Sequence, residues 1–119
     1  MQREVVIVGG VRTAIGKFGG GLKDVPPTEL AATVVRELLN RYDVSGEQIE
    51  QVFFGNVLAT EPKDMYLARV AALEGGVSEN APALTLNRLC GSGLQAIVSA
   101  AQSITLGDAD IAIGGGPKA

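Results

Sequence analysis

Residues 85–93 read Thr85-Leu86-Asn87-Arg88-Leu89-Cys90-Gly91-Ser92-Gly93. The apolar residues just ahead, Ala83 to Leu86, predict a strand, and the run from Leu94 to Leu106 predicts a helix. Cys90, the single cysteine of the chain, falls on the sharp turn between them. The first N–H groups of a helix have no partner inside it, and the aligned peptide dipoles leave partial positive charge there. A thiolate is stabilised in such a place, so the turn suits a nucleophile. Gly91 and Gly93 permit a tight turn and let a ligand approach the backbone. Ser92, between them, reads as a turn or capping hydroxyl rather than a rival nucleophile. The elbow pattern G-x-S-x-G would need glycines where Cys90 and Leu94 stand.

The rest of the chain alternates strands and helices. Glu4 to Val8 is a β-branched run closed by Gly9-Gly10 and predicts a buried strand. Val11 to Lys23 is a glycine-rich loop carrying Arg12, Lys17 and Lys23. It misses the phosphate-loop pattern, with Val11 in place of the first glycine and Phe18 in place of the Ser or Thr that would hold magnesium. Thr28 is placed to cap a helix, with Glu29 in its first turn. Leu30, Val34, Leu38 and Tyr42, four apart and joined by Ala31, Val35 and Leu39, predict the apolar stripe of that helix. Gln51 to Val57 predicts a second strand, and Met65 to Leu73 a short helix stopped by Gly75-Gly76. Arg69 on that helix reads as a surface or interface ion pair. Asp108 and Asp110 mark the exit from the Leu94–Leu106 helix, and Ile111 to Ile113 forms a fourth strand. This order predicts an α/β layered fold with mainly parallel pairing. The last helix has no charged residue, which predicts burial on most sides, as the inner layer of a larger molecule.

Composition narrows the function classes. The chain has 119 residues, 46% hydrophobic and 19% charged, an ordinary globular balance. At this length roughly two-thirds of the unfolded surface can be buried, so one core is expected. The net charge is −3 with no basic tract, which argues against nucleic acid as a partner. One cysteine and no histidine leave no metal site of the usual N/S type and remove the commonest general base. A single cysteine forms no internal disulfide and fits a reducing, cytoplasmic compartment. The N-terminal apolar run is too short for a signal peptide, and no segment reads as a membrane span. Gly91-Ser92-Gly93-Leu94-Gln95-Ala96 matches the dinucleotide fingerprint G-x-G-x-x-A. A ribose-binding acid is missing after the following strand, where Gly114-Gly115-Gly116 stands, so a dinucleotide-binding module is the alternative. A third reading is a non-catalytic assembly fragment whose cysteine only packs.

The stretch Asn87-Arg88-Leu89-Cys90-Gly91-Ser92-Gly93-Leu94-Gln95-Ala96 strongly resembles the thiolases, which include acetyl-CoA acetyltransferases and 3-ketoacyl-CoA thiolases. Val11 to Gly20, Phe54-Gly55-Asn56-Val57, Ala68-Arg69-Val70-Ala71-Ala72 and Ile113 to Gly116 match the family as well. Glu61 to Tyr66 resembles bacterial β-ketothiolases. The resemblance implies a layered αβαβα fold of which residues 1–119 are the N-terminal domain, with the loop and C-terminal domains absent. It implies that Cys90 attacks an acyl-CoA, carries the acyl group as a thioester and passes it to a second acyl-CoA, giving a 3-ketoacyl-CoA, or runs thiolysis in reverse. The Cys90 backbone N–H would be one oxyanion-hole donor, with Gly91, Ser92 and Gly93 supporting the turn. Acetyl-CoA and CoA would be substrates, with no permanently bound cofactor. The family's activating histidine and second cysteine have no counterpart here, so this chain alone is expected to be inactive and to need the C-terminal part as partner. The family further implies a homo-oligomer, dimer or tetramer, with contacts near the third predicted strand, and a place in fatty acid metabolism. Pro117-Lys118-Ala119 departs from the family's usual Glu-Ser-Met-Ser.

Overall fold

The computed structural model of the chain describes residues 3–117. Lys118 and Ala119, part of the departure from the family pattern, lie outside them. Three strands form one parallel sheet: β1 (Gln51–Gly55), β2 (Ala83–Leu86) and β3 (Ala112–Gly115), in the order β2-β1-β3. Helices α1 (Pro27–Arg41) and α2 (Leu67–Gly75) pack on one face, and α3 (Ser92–Thr105) packs on the other. The α/β fold with parallel pairing is thus as the sequence predicts.

β1 is central, so both of its faces are covered, and Val52, Phe53, Phe54 and Gly55 are all buried. Successive strand residues point to opposite faces. Val52 and Phe54 join the core under α1 and α2, with Val35, Ile49, Leu67, Ala68, Ala71 and Ile113. Phe53 turns to the other side and meets Ala96 and Ala100 of α3.

Several sequence expectations are corrected. Glu4–Val8 is not a strand. β-propensity expresses fit to a neighbouring strand and a half-buried face, and this run has neither: it pairs with none of the three described strands. Val6, Ile7 and Val8 stay exposed. The segment is held at its ends instead. Arg3 bonds Asp110 and the Ala109 carbonyl, while Gly9 and Gly10 lie against the Tyr42 ring and hydroxyl.

Thr28 does not cap α1: Pro26 holds that position and Thr28 is buried inside the first turn. The buried stripe runs through Thr28, Ala31, Ala32 and Val35, with Leu30, Val34 and Leu38 at its flank. Small residues let α1 and α2 approach closely, and a side chain on Gly75 would collide with Val35. The predicted stripe holds in part: its Ala31 and Val35 are buried, while its larger residues Leu30, Val34 and Leu38 are pushed to the flank by the close α1–α2 contact. β1 ends at Gly55, two residues early, and Pro62–Tyr66 forms a 3-10 turn ahead of α2. Arg69 makes no ion pair; its guanidinium donates to the carbonyls of Glu79 and Ala81, both at 3.0 Å.

The apolar helix α3 starts at Ser92 and buries Ala96, Ala100 and Ser103 against the sheet. Its opposite face is uncovered among the described residues: Leu94, Ile97 and Val98 are 69%, 43% and 40% exposed. No helix among them is long and apolar enough to cross a membrane.

Candidate active site

In a parallel sheet all strands end at the same edge, where open α/β folds bind ligands. Here β1 ends at Gly55, β2 at Leu86 and β3 at Gly115, and the first turn of α3 is pressed onto that edge. Glycines make the approach possible. A Cβ on Gly55 would lie 2.5 Å from the Ser92 backbone, and one on Gly114 would lie 2.8 Å from the Ile97 Cα.

The loop between β2 and α3, Asn87 to Gly91, is fixed by its own polar groups. The Ser92 hydroxyl donates to the Leu89 carbonyl at 2.6 Å and accepts the Arg88 N–H at 2.7 Å. Ser92 is buried. The Gly91 and Ser92 N–H groups donate to Arg88 and Leu89 carbonyls, both at 3.1 Å. Leu89 sits at φ 49°. That left-handed conformation costs a non-glycine residue roughly 1–2 kcal/mol, so the surroundings must hold it.

Cys90 follows Leu89 and is exposed, two residues ahead of α3. No side chain caps the helix start, and among the described residues no acceptor takes the Cys90 N–H. The loop therefore presents a thiol and an unpaired amide side by side at the positive end of a helix dipole. Gly91 has room, with the nearest atom to a built Cβ at 3.5 Å, and a Cβ on Gly93 would meet nothing. Of the two glycines flanking Ser92, neither is required by contact inside this chain; both leave the backbone open to whatever approaches. A cavity of about 260 Å³ lies between Val11–Thr13 and α1, lined by Arg12, Arg36 and Arg41, and does not include Cys90.

Residues that the sequence left unassigned also surround this edge. Asn56 and Asn87 follow β1 and β2 and pair the two loops, and the Asn56 N–H donates to the Leu86 carbonyl at 2.9 Å. Asp64 is fully buried. Its Oδ2 accepts the Thr60 N–H at 2.9 Å, the Thr60 hydroxyl at 2.8 Å and the Glu61 N–H at 3.0 Å. Burial pushes this carboxyl up. The bonds from Thr60 and Glu61, with the Lys63 charge, outweigh that and leave it below the ordinary carboxylate value. The available signal was an acid three residues after Glu61 with Pro62 between, the spacing of a capping box.

The family model for the thiolase N-terminal domain matches residues 5–118. The chain belongs to the thiolase family. It is 71% identical over 118 residues to the β-ketothiolase BktB of Cupriavidus necator, covering 99% of this chain and 30% of that protein. It is 49% identical over 115 residues to an acetyl-CoA acetyltransferase of Chromobacterium violaceum, covering 97% of this chain and 29% of that protein. The crystal structure of the Bacillus anthracis acetyl-CoA acetyltransferase superposes with a TM-score of 0.93 at 39% identity, over 99% of this chain and 30% of that one. The chain thus spans about 30% of the length of these thiolases. The family does not favour the dinucleotide reading of Gly91 to Ala96.

Proposed function

We propose that this thiolase chain supplies the nucleophile of an acyltransferase acting on acyl-CoA thioesters. The observation that carries the reading is the exposed Cys90 beside its own unpaired N–H, on a loop that Ser92 locks at the start of α3. In the reaction, the Cys90 sulfur attacks the thioester carbon and the carbonyl π pair moves onto oxygen. The Cys90 N–H stabilises that oxyanion. The oxyanion collapses, the CoA sulfur departs with its bonding pair, and the thiol proton ends on CoA. The α-carbon of a second acyl-CoA, after losing a proton, then attacks the Cys90 thioester. The products are a 3-ketoacyl-CoA and free Cys90; thiolysis runs the same steps backwards. Sulfur serves both halves, as nucleophile and as leaving group.

These residues hold no histidine and no second cysteine. In this reading the base and the α-proton acceptor come from outside residues 1–119, and this stretch alone is expected to be inactive. Gly91, Ser92 and Gly93 act as the turn beneath the nucleophile, and Gly93 leaves its side of the backbone open to substrate. The reading includes a cytoplasmic enzyme of fatty acid metabolism, with CoA thioesters as substrates and nothing permanently bound. It also includes a homo-oligomer meeting its copy near β2, whose Leu84 is exposed.

The test is to incubate the native protein with labelled acetyl-CoA, quench in acid and digest. The label is expected on the peptide containing Cys90, and Cys90→Ala should abolish it. Label on another residue overturns the assignment.

A further inference from the structure

We propose that Asn87 is a positioning residue for acyl transfer, aligning the Cys90 N–H by tying the nucleophile loop to the loop that follows β1. This rests on the reading of Cys90 given above. The Asn87 side chain is bonded on both sides. Its Oδ1 accepts the Leu89 N–H at 2.9 Å, and its Nδ2 donates to the Val57 carbonyl at 3.3 Å. The first bond closes an Asx turn over Arg88, a local fold that Asn adopts readily. The second is a tertiary anchor, spanning thirty positions of sequence.

The anchor point is itself held. Asn56, the neighbour of Val57, donates its side-chain amide to the carbonyls of Leu58 at 3.2 Å and Asp64 at 3.3 Å. Buried Asp64 in turn gathers Thr60 and Glu61. Asn87 therefore bonds to a braced loop.

Leu89 shows why the bond matters for chemistry. Its φ of 49° sets the direction of the next peptide, and the N–H of that peptide belongs to Cys90. Ser92 holds the carbonyl of Leu89, and Asn87 holds its N–H. With Asn87 removed, the restraint on the N–H side of this strained residue is gone, only the two Ser92 bonds to its carbonyl remain, and the Cys90 amide can swing out of line. The sulfur itself stays exposed and reachable. Misplacing a donor or reacting group by about 1 Å lowers rates by about 100-fold, and deleting one oxyanion donor costs about 100- to 1000-fold.

The test compares two reactions at the same sulfur in the native protein. Acyl transfer from acetyl-CoA uses the Cys90 N–H, whereas alkylation by iodoacetamide uses only the sulfur. For Asn87→Ala, kcat is expected to fall about 10- to 100-fold with KM within about threefold, and the alkylation rate to stay within about threefold. Asn87→Ser keeps an acceptor within reach of Leu89 N–H but cannot span to Val57, and should recover only part of the loss. Unchanged kcat in Asn87→Ala overturns the proposal. So does a parallel loss of acyl transfer, alkylation and thermal midpoint, which marks a merely structural residue. Full recovery in Asn87→Ser removes the anchoring role. If wild-type protein takes no acyl label on Cys90, the functional reading falls and this proposal with it, which separates that outcome from a failure of Asn87 alone.

Discussion

The two faces of the sheet are built differently. Beneath α1 and α2 lies a closed core, with Phe54, Leu67, Val35 and Val52 fully buried. Beneath α3 the core is thin: Phe53 meets Ala96 and Ala100, with Leu86 and Ala112 at its edge. The outer side of α3 carries Leu94, Ile97 and Val98 at i, i+3 and i+4, one apolar stripe left bare. The first face keeps the chain folded. The second has given up packing bulk so that glycines and alanines can bring the helix start, and with it Cys90, onto the strand ends.

Neighbouring phenylalanines measure this contrast most directly. Phe54→Ala empties a closed site and should cost about 3–5 kcal/mol. Phe53→Ala removes the same atoms on the thin side, where small neighbours beside solvent can settle into the space. It should cost at least about 1 kcal/mol less, because the penalty follows the cavity that remains. Urea unfolding midpoints of the two variants decide it. Equal losses would mean that the α3 side is as tightly supported as the other.

How much of this was legible differs between the same two regions. The Leu94–Leu106 pattern, strand Ala83–Leu86 and the Cys90 turn were visible because each is announced locally, by period, by a short apolar run and by glycine. The buried face of α1 was legible only in part: Ala31 and Val35 belong to its stripe, but their burial ahead of Leu30, Val34 and Leu38 follows the close contact of Val35 with Gly75, a tertiary match that the stripe does not reveal. The run Glu4–Val8 has strand propensity but pairs with none of the described strands. Leu89 at φ 49° runs against its own preference, and the bonds from Asn87 and Ser92 hold it there, Asn87 being itself tied to the Val57 carbonyl thirty positions away. The burial of Asp64 is not legible either, because a buried carboxylate leaves almost no trace in composition.

That carboxylate makes the closed face sensitive to pH. Asp64→Asn weakens three hydrogen bonds in a buried site and should cost about 1–3 kcal/mol near pH 7. The sign of the pH effect follows from the lowered value in the folded chain. Stabilisation by ionised Asp64 is complete above the unfolded carboxyl value, about 3.9, and is lost as pH falls through the folded value. The gap in stability between wild type and Asp64→Asn should therefore narrow below about pH 4. A gap that held constant from pH 7 to pH 2.5 would show that Asp64 packs the closed face without being charged in it.

The smallest effect is expected on the bare stripe. Val98→Gln in residues 1–119 removes an apolar side chain that already faces water over part of its surface. Gln also has the slightly better helix propensity, since it is not β-branched, and returns a few tenths of a kcal/mol. The two contributions nearly cancel, and the change should stay within about 0.5 kcal/mol, as for surface sites generally. A cost above about 1 kcal/mol would require something packed over Val98 and would end the contrast between the faces. The same substitution in the native protein turns the measurement around: a cost there that is missing in residues 1–119 gives the energy with which other residues cover α3.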